Sequence, residues 1–433
     1  MFSTDTRTLQ PGDTYVAIRG ERFDGHDFVP QAVAGGAAAV VVERAVDVPD
    51  AVEVVRVESA LDYLTSEAHA ALAASGAEVV AITGSVGKTT TKNAVLSVLR
   101  ERFQVVAAEG NLNTPLGLSL MVLNRTLGPD TKVVMEMGAR FEGDIAELCR
   151  LFPPAVSVVT NVKGVHLETF GSLDAIEYEK GEIVAGLRDG GTAVLNADDP
   201  RVRAMRARHD GPALLYGTAA DADVRPALIA VDLPILGEHA VMTALAAAAV
   251  GRAFGLDDAA VNRGLGVIEP EKGRLVRLDG RGGSVLIDDT YNASPEATAV
   301  ALRVLAGQDA TRRIALLGDM LELGDDEVDQ HVATLGVAAE HADLVVAVGE
   351  IMGRAAERWR AERGGAVLTY PTSTALADDL GAGRPFAPGR GDAILVKGSQ
   401  GVRMERVTAA LLHPATDPAE VLPRQSESWL QTD

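Results

Sequence analysis

The stretch Thr83-Gly84-Ser85-Val86-Gly87-Lys88-Thr89-Thr90 decides the fold. It follows the apolar run at 79–82, too short for a helix, and opens a segment in which Val95, Val98, Leu99 and Phe103 recur at helical spacing. A strand, a glycine-bearing turn and a helix, in that order, are the context of a phosphate-binding loop. Glycines let backbone N–H groups converge on phosphate, the helix N-terminus adds a positive dipole, Lys88 neutralises charge, and Thr89 can hold magnesium. The spacing Gly84-x-x-Gly87-Lys88-Thr89 departs from G-x-x-x-x-G-K-[ST], whose first glycine would fall at Ile82. The competing reading is a Gly-rich turn with a chance lysine. The flanking strand and helix favour the phosphate loop, with ATP or a similar nucleotide bound by residues 84–90.

The same alternation extends outward. Residues 133–137, 156–160, 285–288, 314–317, 344–348 and 394–396 read as further strands separated by Ala- and Leu-rich helical stretches, the signature of parallel α/β domains. These runs end in polar or glycine positions, at the strand C-termini where open parallel sheets bind ligands. Breaks at 73–77 and 270–273 divide the chain into three α/β domains at 1–75, 76–270 and 271–413, with a polar tail at 414–433 expected to be mobile.

Composition narrows the function. The 433 residues carry 40 Lys plus Arg against 61 Asp plus Glu, a formal charge of -21, which argues against a nucleic-acid partner. Small anions stay open, because local backbone dipoles can outweigh distant charge. With Cys149 alone, no intrachain disulfide and no four-cysteine zinc site can form, which fits a reducing compartment. Met1-Phe2-Ser3-Thr4-Asp5 lacks a basic start and an apolar signal core, and runs such as 244–250 fall short of the roughly 20 residues of a membrane helix. The expectation is a cytoplasmic protein without membrane insertion, and nothing demands more than a monomer.

Read alone, the remaining candidates have two faces. Glu136, ending a strand, is either paired with a base or a Mg²⁺ ligand, since Mg²⁺ beside phosphates takes one or two carboxylates. His166, six residues past a strand, is a solvated loop histidine or a ligand, and Lys180 reads as a surface lysine. Arg274 and Asp289 are surface charges or nucleotide contacts. The Gly-Asp and Asp-Gly pairs near Asp13 and Asp24 are also what ordinary turns look like.

Further segments line up with the phosphate loop. They are Asp5-Thr-Arg-Thr-Leu-Gln-Pro-Gly-Asp13, Gly20-Glu-Arg-Phe-Asp-Gly-His-Asp-Phe28, Gly110-Asn-Leu-Asn-Thr-Pro115, Glu136-Met-Gly138, Thr160-Asn161 with His166, Lys180-Gly-Glu182 and Gly273-Arg274. They continue with Asp288-Asp-Thr-Tyr-Asn-Ala-Ser-Pro295, Leu317-Gly-Asp-Met-Leu-Glu-Leu-Gly324 and Lys397-Gly-Ser399. In this order they resemble the Mur ligases of peptidoglycan synthesis over nearly the whole chain. The two octapeptide segments are similar to the type that joins D-Ala-D-Ala to UDP-MurNAc-tripeptide, and no Asp-Asn-Pro-Arg segment of the diamino-acid-adding type is found.

The resemblance implies an N-terminal UDP-substrate domain, a central P-loop ATPase-like domain with a mostly parallel sheet, and a C-terminal Rossmann-like domain receiving D-Ala-D-Ala. It implies an ATP-dependent amide ligase working through an acyl phosphate at the last cytoplasmic step of pentapeptide precursor synthesis. Lys88, Glu136, His166 and Lys180 are its implied catalytic set. Thr89, Glu136, His166 and Lys180 are the Mg²⁺ set, with Lys180 carbamylated by CO₂; chemically this needs a depressed lysine pKa, because only the neutral amine attacks CO₂. Arg274, Asp289 and Asn292 would meet ATP. Asn111, Asn113, Thr114, Asp319, Lys397 and Ser399, with Ser294 and Glu322 near them, would meet substrate, and Thr6, Arg7 and 24–27 the UDP end.

Three departures stand out. The family's His-Asn-x-x-Asn segment reads His239-Ala240-Val-Met-Thr243 here, without either asparagine, which bears on adenine anchoring. The stretch 217–237 is short, as if a small β element were trimmed, and a first element ahead of Asp5 is expected to be missing. Two rivals stay open: another amide ligase of the superfamily, diamino-acid-adding or folylpolyglutamate-like, and a catalytically degenerate ATP-binding regulatory homologue.

Overall fold

The computed structural model describes residues 1–20, 23–108, 113–164, 167–237, 239–426 and 429. Its first sheet is parallel throughout, with β1 (Phe2–Ser3), β2 (Thr14–Val16), β3 (Ala39–Val42) and β4 (Glu53–Arg56) side by side in chain order. β1 is an edge strand ahead of Asp5, where the sequence reading expected a missing element. The helix Ala60–Ser75 starts at Ser59, whose side chain accepts from Asp62 N, and ends at Gly76 in the left-handed region.

The second sheet comprises β5 (Glu78–Thr83), β6 (Gln104–Ala107), β7 (Thr131–Glu136), β8 (Pro154–Val159), β9 (Thr192–Asn196) and β10 (Ala213–Tyr216). All its pairings are parallel, in the order β10-β9-β8-β5-β7-β6. β5 and β8 are buried on both faces, which is why they read as unbroken apolar runs rather than alternations. The chain passes from β7 on one side of β5 to β8 on the other, so the C-terminal end of β5 lies at a topological switch point, where such sheets bind ligands.

The third sheet comprises β11 (Val276–Asp279), β12 (Val285–Asp289), β13 (Arg312–Gly318), β14 (Leu344–Val348), β15 (Leu368–Tyr370) and β16 (Asp392–Lys397). Its order is β11-β12-β16-β13-β14-β15, with only β11 antiparallel among the described strands.

The chain divides into two compact units, Met1–Asp232 with Val241–Val267, and Leu233–Ala240 with Ile268–Asp433. The first unit holds two sheets. Asn124 ties them by accepting from Phe2 N at 2.7 Å and donating to Phe2 O at 2.8 Å, and Leu116, Leu120 and Leu123 pack against Val16, Val41 and Leu64. The stretch 217–237 contains a bridge from Val224 to Tyr216 and a short 3-10 turn at Pro226–Leu228.

The segment after 413, expected to be a mobile tail, is part of the second unit's core as far as Arg424. Leu422 is buried in the cluster of Leu286, Ile394 and Val407, and the Arg424 side chain is buried against Glu405. Among the described residues, no helix is long and apolar enough to cross a membrane.

Candidate active site

In the first unit, the turn 84–87 runs from the end of β5 into the helix Lys88–Arg100. Gly84 has φ +149°, and a Cβ there would lie 1.9 Å from Thr160 Oγ1. Only glycine permits that approach to the end of β8. Gly87, at φ +84°, turns the chain into the helix.

The loop is braced by the segment after β8. Val86 N donates to Asn161 Oδ1 at 3.0 Å, and Val86 O accepts from Asn161 Nδ2 at 2.9 Å and from Thr160 Oγ1 at 2.8 Å. Ser85 N donates to Asn161 O, while Ser85 Oγ donates to Lys163 O and accepts from Lys163 N, both at 2.9 Å. The loop backbone is thereby fixed, with the N–H groups of Ser85 and Val86 taken up in the brace. Thr160-Asn161 entered the sequence reading as a motif, but its bracing role is a contact that sequence spacing does not encode.

Lys88 Nζ donates to Gly84 O at 2.8 Å, folding back over the loop. Thr89 Oγ1 donates to Glu136 Oε2 at 3.1 Å, bringing together the β5 and β7 strand ends. Lys92 Nζ lies 3.1 Å from Glu136 Oε1, yet that buried oxygen accepts no aligned hydrogen bond. Glu136 is thus paired with a base, the first of its two readings, and its Oε1 accepts no aligned hydrogen bond. Sequence reasoning missed Lys92; its signal was a lysine one turn after Lys88 on the helix face that carries Val95 and Leu99.

Lys180 is buried on the helix Leu173–Ala185. Burial, and then the charge of Lys88, bring its pKa down to about 8, against a smaller upward pull from Glu179. Glu179 itself accepts from Gly143 N and Ile145 N at 2.7 and 2.8 Å, at the start of the helix Asp144–Leu151. Thr90 is half-buried beside Thr89. Asn113 lies against Gly138, where a Cβ would meet its Nδ2 at 2.8 Å, and Thr114 caps the helix Pro115–Leu123 through Gly117 N. Asn111 and His166 fall outside the described residues. No group of three His, Cys, Asp or Glu placed to hold a metal ion is present among the described residues. Mg²⁺ beside phosphates needs no such cluster, so the Thr89 hydroxyl and the Glu136 carboxylate, a hard-oxygen pair, fit this ion.

The N-terminal candidates are local. Arg7 is exposed and holds Asp5 through Nε at 2.9 Å and Nη2 at 2.6 Å, with Thr6 between them. Asp24 caps the 3-10 turn Gly25–Phe28 and meets His26 Nδ1 at 2.6 Å; His26 Nε2 accepts from Glu43 N, which assigns the ring proton to Nδ1.

The second unit gathers its candidates at the C-terminal ends of β12, β16 and β13. Lys397 Nζ donates to Asp289 Oδ2 at 2.6 Å and to Asn292 O at 2.9 Å, and the Arg274 guanidinium lies 4.3 Å from the Tyr291 ring centre. Ser399 Oγ accepts from Leu321 N at 2.9 Å and donates to Ala293 O at 3.4 Å, linking two loops. Asp319, read from sequence as a substrate contact, accepts from Met352 N at 2.6 Å at the start of the helix Glu350–Arg363; burial raises its pKa against these backbone donors. Ser294 caps Pro295–Ala306, and Glu322 stands at φ +68°. Next to Asp289, Asp288 is fully buried. Its Oδ1 accepts from Thr408 and Thr290, its Oδ2 has no partner, and burial pushes its pKa up to about 7.

Comparison with known proteins yields three family models in chain order: the Mur ligase family, catalytic domain, over residues 1–82, the Mur ligase middle domain over 82–251, and the Mur ligase, glutamate ligase domain over 273–400. The chain is 33% identical over 435 residues to the UDP-N-acetylmuramoyl-tripeptide--D-alanyl-D-alanine ligase of Bacillus subtilis, covering 95% of this chain and 92% of that one. It is 34% identical over 436 residues to the Escherichia coli protein of the same name, covering 96% and 94%. The crystal structure of MurF ligase from Thermotoga maritima in complex with ADP matches with a TM-score of 0.80 and 30% identity, over 94% of this chain and 96% of that one.

Proposed function

The chain belongs to the Mur ligase family, and from that premise we propose that it joins D-alanyl-D-alanine to UDP-N-acetylmuramoyl-tripeptide while ATP becomes ADP and phosphate. The observation that carries the reading is the Thr89–Glu136 pair at the switch-point edge, beside a braced phosphate loop. A carboxylate and an amine do not condense in water, so the tripeptide carboxylate first attacks the γ-phosphorus, giving an acyl phosphate and ADP. The dipeptide amine then attacks the acyl carbon, and phosphate leaves as the amide forms.

In this reading the N–H groups of 87–90 and Lys88 receive the ATP phosphates and offset the charge spread over the transferring group, while those of Ser85 and Val86 are held by Asn161 and keep the loop in shape. Thr89 and Glu136, with His166 and a carbamylated Lys180, would hold magnesium, which when bound supplies electrostatic stabilisation of phosphoryl oxygens. The low pKa of Lys180 supports carbamylation, because its neutral amine is available near neutral pH. Arg274, Asp289 and Asn292 would contact nucleotide, and Lys397 would act through Asp289. Asn111, Asn113, Thr114 and Ser399 would line the peptide path, with Asp319 ordering that edge through its helix cap. Thr6 and Arg7 would meet the UDP end. Ala240 offers adenine no side-chain hydrogen bond, which leaves Thr243 to supply one. The substrates place the reaction in the cytoplasm.

The test is phosphate release with Mg²⁺, ATP and a UDP-MurNAc-tripeptide, with and without D-Ala-D-Ala, followed by product mass. Release requiring both substrates, with a mass gain of the dipeptide less water, is expected. ATP binding without turnover on tripeptides ending in diaminopimelate, lysine or ornithine would sink the proposal.

A further inference from the structure

Four consecutive residues, 289–292, form the loop at the end of β12, and two buried cations hold it. Lys397 takes Asp289 Oδ2 and Asn292 O. Arg424, from the segment beyond the last family-model match, takes the two between: Nη1 donates to Tyr291 O at 3.1 Å and Nη2 to Thr290 O. The same Nη2 donates to Glu405 Oε2 at 2.8 Å, and Glu405 Oε1 accepts from Arg403 Nε at 2.6 Å, so the carboxylate is 1% exposed but doubly paired. One residue earlier, Pro423 closes on the neighbouring turn. A Cβ on Gly273, whose φ is +77°, would lie 3.0 Å from both Pro423 Cγ and Tyr291 N, and Tyr291 N donates to Gly273 O at 2.9 Å. Arg424 itself stands at φ +57°, a strained backbone state for a residue other than glycine. Strain of that kind persists only where surrounding contacts fix it.

We infer that residues 422–424 form a strap that sets the geometry of 273–274 and 289–292, with Arg424 as its positioning residue. The inference rests on the ligase reading, in which Arg274, Asp289 and Asn292 contact nucleotide and Ser399, bonded to Ala293 O just past the loop, lines the peptide path. A guanidinium is required because one planar fork must meet two successive carbonyls and a carboxylate. A lysine at 424 can keep the Glu405 ion pair but not the three-way geometry. Arg424 touches no substrate in this scheme; it acts through the backbone of Thr290 and Tyr291.

Arg424→Lys and Arg424→Met are made in the full chain, and KM for each of the three substrates is measured with the melting temperature. Arg424→Lys is expected to keep the wild-type melting temperature within a few degrees. It should raise KM for ATP and D-Ala-D-Ala about tenfold while leaving KM for UDP-MurNAc-tripeptide within about twofold. Unchanged KM values in Arg424→Lys, or a fall in kcat alone that tracks lost folded protein, would overturn the strap. If Arg424→Met does not fold, Arg424→Lys carries the test. A wild type without turnover would instead count against the ligase reading, and the strap is then judged by ATP affinity alone, weaker in Arg424→Lys if it holds and equal if it does not.

Discussion

Lys180 offers the sharpest test of the metal chemistry. A buried lysine with a pKa of about 8 instead of 10.5 is roughly one-tenth neutral at pH 7, whereas an ordinary lysine is neutral in about one molecule in 3,000. The nucleophilic amine is enriched about 300-fold. Loss of one proton from the ammonium and of a second as the neutral amine adds CO₂ turns a cation into an anion, which converts repulsion from Lys88 into attraction. Incubation with ¹³C-bicarbonate at pH 7–8 should therefore give one carbamate carbonyl resonance per chain, absent in Lys180→Met. No resonance at saturating bicarbonate, or one that survives the substitution, would refute the assignment. The same shift fixes a stability effect. Between about pH 8 and 10.5 the unfolded chain binds a proton that the native state lacks, so stability rises with pH across that window. Below it the buried ammonium costs about 3 kcal/mol. Without bicarbonate, Lys180→Met should consequently be more stable than wild type at pH 7, with the gap closing by pH 10.5 in urea titrations.

Asp288 works with the opposite sign: from the unfolded value near 3.8 up to about 7 the native carboxyl keeps a proton the unfolded chain has lost, so stability falls as pH rises, by about 4 kcal/mol in all. Asp288→Asn should gain on wild type across that range in urea unfolding, and a constant gap would remove Asp288 as the cause. Glu136→Gln should lower kcat at least ~100-fold and raise the Mg²⁺ concentration needed for half-maximal phosphate release, since it weakens the carboxylate that Thr89 and Lys92 face; an unaltered Mg²⁺ requirement would count against it as ligand. Asn161→Ala deletes two side-chain hydrogen bonds to Val86 and should weaken ATP binding by about 1–2 kcal/mol, roughly 5- to 30-fold, by calorimetry. Wild-type affinity would show that the loop orders without this brace.

What was legible in the sequence follows from burial. β5 and β8 are covered on both faces, so their apolar runs announce themselves, and the glycines of 84–87 mark a turn that only glycine can make against Thr160. β1 has two residues and β15 is largely exposed, too little pattern to register as strands. Asp319 was found as a residue but not as a helix cap, because its donors come from residues 350–352, beyond any local spacing rule. Arg424 sat in a polar segment whose composition resembles a free tail; its burial depends on Glu405 and on carbonyls more than 130 residues upstream. Long-range polar contacts leave no periodicity, and these are the ones that organise both ligand edges.

The two edges answer one electrostatic problem differently. A chain of formal charge -21 repels ATP at a distance, so the nucleotide must be held by local fields. In the first unit Lys92 faces Glu136, while buried Lys180 feels the like charge of Lys88 with Glu179 pulling the other way. Burial first, and then the charge of Lys88, bring the pKa of Lys180 down. In the second unit Lys397 pairs with Asp289, Arg403 and Arg424 share Glu405, and burial raises the Asp288 pKa to about 7. That edge is fixed by its ion pairs, suited to presenting backbone geometry. In the first unit Lys180, with a pKa lowered to about 8, is the residue whose charge can change near neutral pH as ligand binds.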